Sequence, residues 1–153
     1  MVKKGKSNPV SEKAKNYFTQ GFNCAESISL SFKEALGIEG SLLPKLATGF
    51  GGGVARKGSL CGAFVGSVMA LGMKMGRTDP KDEKGLSVFY EKCRQFWDQF
   101  EKEFGSNLCC EIIGCRLDNN EERQKWLASG GKARCAELVG RTAEMLGDFI
   151  ETI

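Results

Sequence analysis

The chain has 153 residues, 41% of them apolar and 27% charged, with a formal net charge of +3. That length and composition fit one globular domain with its own core, and they exclude a disordered or fibrous protein and give no sign of a nucleic-acid partner. Histidine is absent, which removes Ser-His and Cys-His catalytic pairs, histidine-ligated zinc and CxxCH haem attachment.

Residues 1–7 read as a flexible tail to a single helical domain spanning 1–153. The lysine-rich start has no continuous apolar run and so no secretory signal, and the expected compartment is the reducing cytoplasm. Asn8-Pro9 predicts a helix start with proline at the first position, followed by Val10, Ala14, Tyr17 and Phe18 on one face and stopped at Gly21. Asn23, with Glu26 three residues on, predicts a capping box for a second helix that buries Ile28, Phe32, Ala35 and Leu36 and ends at Gly37. Leu42 to Leu46 reads as a short helix or turn leading into the glycine-rich loop Gly49 to Gly53. A third helix is expected from Ser59, its cap, through Cys61, Val65, Val68 and Leu71. The apolar stretch Gly58 to Met73 is too short and too glycine-rich to insert in a membrane.

Thr78-Asp79-Pro80 predicts the start of a fourth helix with Leu86, Phe89, Cys93, Phe96, Trp97, Phe100 and Phe104 inward, closed by Gly105. Leu108 to Ile113 reads as a helical turn and Asn120 to Leu127 as a polar helix. Gly130-Gly131 precedes a last helix that carries Cys135, Leu138, Val139, Leu146 and Phe149. No period-two alternation appears, so the fold class is all-α, an irregular bundle of about five main helices with a glycine-rich loop.

Seven cysteines and 20 glycines are the unusual counts. Gly58, Gly62, Gly66 and Ala70 recur at i, i+4 and form a smooth ridge. The ridge admits a second backbone, within the monomer or across a homodimer, or leaves room for a cofactor or a sulfur beside Cys61. Gly51, Gly52 and Gly53 fit neither a Walker loop nor GxGxxG, but their amides can form a nest for an anion or a thiolate. Cys24, Cys61, Cys110 and Cys135 each fall near a helix start, where free amides favour thiolate over thiol and burial opposes it. Cys93 reads as a small core hydrophobe, and adjacent Cys109 and Cys110 cannot both face one side. Glu26 and Glu111 are candidate proton carriers, though capping explains Glu26 equally well.

Phe22-Asn23-Cys24-Ala25, Gly51-Gly52-Gly53, Cys61-Gly62-Ala63-Phe64-Val65-Gly66, Cys110-Glu111-Ile112-Ile113-Gly114 and Cys135 follow one another in an order that resembles the C-GCAxxG-C-C family, small proteins described as redox-active. The resemblance implies four key thiols at Cys24, Cys61, Cys110 and Cys135. Three functions remain open at this point. One is thiol–disulfide exchange with a redox partner of unknown identity, which needs no cofactor. The second uses the same four cysteines as ligands of zinc or an iron–sulfur cluster. The third is a non-catalytic helical protein whose glycine ridge forms a homodimer. Pairing is also open, Cys24 with Cys61 and Cys110 with Cys135 being one arrangement.

Overall fold

In a computed structural model, the protein is described over residues 8–153, so the expected tail at 1–7 lies outside the described residues. Its elements are α1 (Pro9–Thr19), α2 (Cys24–Ala35), a 3-10 turn (Lys45–Phe50), α3 (Gly62–Met75), α4 (Glu83–Phe104), α5 (Cys109–Ile113), α6 (Asn120–Ala128) and α7 (Gly131–Glu151). Among the described residues there are thus seven α-helices rather than about five, and no strand beyond a single antiparallel bridge between Leu60 and Leu108.

Local chemistry sets most of the boundaries. The Asn8 side chain accepts from the Val10 amide at 3.1 Å, with Pro9 opening α1. The α2 capping box is complete: Asn23 accepts from the Glu26 amide at 2.9 Å, and Glu26 accepts from the Asn23 amide at 2.8 Å. Gly105 ends α4 in the left-handed region at φ 79°. Two starts differ from the sequence reading. α3 begins after Cys61, not Ser59, because residues 58–61 are drawn into hydrogen bonds with residues 107–110. α4 begins after Asp82, whose carboxylate accepts from the Gly85 amide, so Thr78 to Lys81 stay outside the helix.

Close packing of α2 on α3 organises the bundle. A Cβ at Gly66 would lie 2.8 Å from the Ala25 carbonyl oxygen, and one at Gly62 would lie 2.9 Å from that of Phe50. The ridge therefore packs inside the chain, and Gly58 is not part of it, lying in the preceding loop. Ser27 and Ser31 of α2 are fully buried, each donating back to a carbonyl four residues earlier, which satisfies a small hydroxyl without widening the contact. α1 lies against both α2 and α7. Phe64, Phe96, Phe100 and Phe149 form the aromatic heart of the core, with the Phe64 and Phe100 centroids 5.5 Å apart.

Candidate functional site

Four cysteines from four separate elements lie near one another. Cys24 opens α2, and Cys61 is the residue on which α3 starts. The absence of a side chain at Gly62 brings these two starts together, since a Cβ there would sit 3.2 Å from the Cys24 Cβ. The Cys61 amide donates to the Asn107 carbonyl at 2.8 Å, and the Cys109 amide donates to the Ser59 carbonyl at 2.7 Å. These bonds clamp the start of α5 beside the start of α3. Cys135 joins from the second turn of α7.

Each of the six pairs among Cys24, Cys61, Cys109 and Cys135 is near enough for charge on one sulfur to raise the pKa of another. Burial is the larger cause in every case. It lifts the Cys24 thiol well above its ordinary value, with the charges of Cys61, Cys135 and Cys109 adding to it. Cys109 and Cys135 are pushed up to about 12, again by burial first and Cys61 next. Burial also raises Cys61; the amides of Ala63 and Phe64 oppose it, without a cap hydrogen bond of ordinary geometry. Of the two opposing influences expected at these helix starts, desolvation is the larger and outweighs the helix-end field. Burial thus favours the neutral thiols across the cluster, and all seven cysteines are free of disulfide bonds.

The sequence reading placed Cys110 in the quartet, and the structure places its neighbour Cys109 there. Cys109 is 7% exposed and packs over Gly53, whereas half-buried Cys110 packs over Gly58, where a Cβ would come within 2.7 Å of its own. Cys115 flanks the group, its charge felt at Cys109 and Cys135. Cys93 lies against the hydrophobic core. Glu26 stays in the capping box and also accepts from the Thr48 hydroxyl at 2.6 Å. Glu111 accepts from Ser106.

Cys24, Cys109 and Cys135 line a cleft of about 470 Å³, whereas buried Cys61 does not. Arg56, Arg123 and Lys132 also line it, and none of them has an ion-pair partner among the described residues. Gly51 and Gly52 form part of the wall; Gly53 and Gly62 are buried in packing contacts instead. Arg123, Trp126 and Leu127 reach the cleft from one face of α6, a spacing of three and four that the sequence displayed without marking it as functional. Arg56 arrives on an unusual backbone: φ is positive at five consecutive residues, Gly52 (65°), Gly53 (73°), Val54 (60°), Ala55 (49°) and Arg56 (65°). A left-handed conformation costs an L-residue roughly 1–2 kcal/mol, so the three non-glycine positions here are strained beside the thiols.

Asn107 is 2% exposed, and neither its side-chain oxygen nor its nitrogen has a hydrogen-bond partner. No three Cys, Asp or Glu side chains among the described residues are arranged to hold a metal ion. No helix among the described residues is long and apolar enough to cross a membrane.

Comparison with known proteins agrees with the cysteine pattern. The profile of a family described as "Putative redox-active protein (C_GCAxxG_C_C)" matches residues 22–149. An uncharacterized protein of Archaeoglobus fulgidus is 31% identical over 131 residues, covering 80% of this chain and 81% of its own. No solved structure matches. The chain belongs to the C_GCAxxG_C_C family.

Proposed function

We propose that the chain is a thiol–disulfide redox protein acting through Cys24, Cys61, Cys109 and Cys135. The observation that carries this reading is that Cys24, Cys109 and Cys135, far apart in sequence, line one cleft, with Cys61 near enough for its charge to raise the pKa of each. A cleft-lining thiol loses its proton and attacks a disulfide RS–SR, forming a protein–S–SR bond and releasing RS⁻. A second thiol of the group, the buried Cys61, loses its proton and attacks the protein sulfur of that bond. A protein disulfide forms and a second RS⁻ leaves; the two protons given up by the cysteines end on the two RS⁻ groups. Two protein thiols are oxidised and one small disulfide is reduced to two thiols.

The raised pKa values slow the first step at neutral pH, because only the thiolate attacks. The zinc or iron–sulfur alternative requires the sulfurs to close on one point, and the arrangement among the described residues gives it no support. Inert packing has less in its favour too, since the glycine ridge is used within the chain and does not account for the thiol-lined cleft.

The test is a thiol count on metal-free, reduced protein before and after incubation with hydroxyethyl disulfide. The expected result is loss of two of the seven thiols, restored by dithiothreitol, with the Cys93→Ser variant behaving identically. Retention of all seven, or loss that disappears with Cys93, would overturn the reading.

A further inference from the structure

We infer that the cleft selects a disulfide carrying negative charge, a low-molecular-weight dicarboxylate disulfide, as the oxidant of the cysteine cluster. This inference rests on the thiol–disulfide reading and names its substrate class. Three observations carry it. The cleft presents three cations from three elements: Arg56 from the left-handed turn, Arg123 from α6 and Lys132 from the first turn of α7. No aspartate or glutamate lines it. The three cations are also free of ion pairs among the described residues, as are the exposed Lys45, Lys74, Lys81, Lys84, Arg94 and Lys102, whereas other basic residues are engaged. Lys13, Lys15, Lys57, Lys125, Arg116 and Arg141 are all ion-paired, and Arg134, close by in sequence, donates to the Ser129 carbonyl and hydroxyl.

The whole chain carries only three excess positive charges, so three free cations around one concavity form a local field that the net charge does not reveal. A cleft lined by one sign of charge concentrates ligands of the other. Its volume of about 470 Å³ is in the range of small-molecule sites, roughly 300–1,000 Å³. Trp126, Phe18 and Phe22 supply apolar wall for the carbon chain between charged ends. Carboxylates held by the guanidinium and ammonium groups would leave the central S–S bond facing the thiols of Cys24, Cys109 and Cys135. The reaction is the one already balanced: two protein thiols and one dicarboxylate disulfide give a protein disulfide and two carboxylated thiols.

A charge series at similar size tests this. Reduced protein is mixed with dithiodipropionate (dianion), hydroxyethyl disulfide (neutral) or cystamine (dication), and the rate of protein thiol loss is measured at low and high salt. The dianion is expected to react about tenfold faster than the neutral compound and cystamine slowest, with the spread shrinking as salt rises. Arg123→Gln and Lys132→Gln each narrow the dianion-to-neutral ratio about twofold, within the range for one exposed charge pair. Equal rates for the three, or a ratio indifferent to salt and to both variants, would overturn the anion preference while leaving thiol exchange standing. Suberate, the dithiodipropionate analogue without sulfur, separates the two claims further in a Trp97→Phe background where Trp126 is the sole indole. If suberate alters Trp126 fluorescence while no disulfide oxidises the protein, the anion site stands and the redox reading fails. If suberate neither alters fluorescence nor slows the dianion's reaction, the anion site is overturned.

Discussion

The cysteine cluster and the aromatic core bury the same residue type to opposite effect. Cys93 sits among the side chains flanking the core, and burial alone raises its pKa, with Arg94 pulling it back. In the cluster, burial acts together with repulsion between sulfurs, and Cys109 and Cys135 reach about 12. A single buried thiol is a small hydrophobe. Four buried together raise one another's pKa values further. The backbone differs in the same way. The core is regular helix carrying Phe64, Phe96, Phe100 and Phe149, whereas the cluster is framed by a left-handed turn, an isolated bridge and an unsatisfied asparagine.

The sharpest way to separate the regions is to damage one and watch the other. Phe96→Ala removes a fully buried ring that stacks near Phe64 and Phe149, and is expected to cost about 3–5 kcal/mol in urea unfolding. Oxidation of folded protein should still involve the same cysteines. Cys61→Ser should do the reverse, changing stability little while a mixed disulfide with the small oxidant accumulates, visible as an intact-mass adduct. Two glycines of α3 sharpen the contrast further. Gly66→Ala places a methyl 2.8 Å from the Ala25 carbonyl oxygen and 2.9 Å from the Ile28 Cβ, and about 1–3 kcal/mol of stability should be lost.

Alkaline titration probes the cluster directly. Between pH 9 and 12 the unfolded chain releases thiol protons that native Cys109 and Cys135 retain, so native stability falls as pH rises through that window. Cys135→Ala removes one such group and should flatten the slope by up to about 1.4 kcal/mol per pH unit, measured by urea unfolding under reducing conditions. Smaller effects follow. Asn107→Leu removes two unsatisfied buried polar atoms and should raise stability by about 1 kcal/mol. Gly72→Ala, with only Phe89 Cζ at 3.9 Å, should raise it by about 0.5–1 kcal/mol.

What was legible in the sequence was local. Asn8-Pro9, the Asn23–Glu26 box and Gly105 each act through neighbours within a few residues, and each boundary lies where those residues place it. The family pattern was legible as well. The choice between Cys109 and Cys110 was not, because it depends on hydrogen bonds from residues 107–110 to residues 58–61, about fifty positions away. The same bonds move the start of α3 from Ser59 to Cys61. The balance between helix-end charge and burial was not legible, because the first is a local property and desolvation is a tertiary one. The cationic cleft escaped notice because Arg56, Arg123 and Lys132 meet only in the folded chain.

Peptide mapping by mass spectrometry tests the central claim most directly, after reduced protein is oxidised with limiting diamide and its remaining thiols are alkylated. The account predicts disulfide-linked peptides joining only Cys24, Cys61, Cys109 and Cys135, with Cys93 and Cys110 recovered alkylated. A principal bond to Cys93 or Cys110, or seven alkylated cysteines after oxidation, would contradict it.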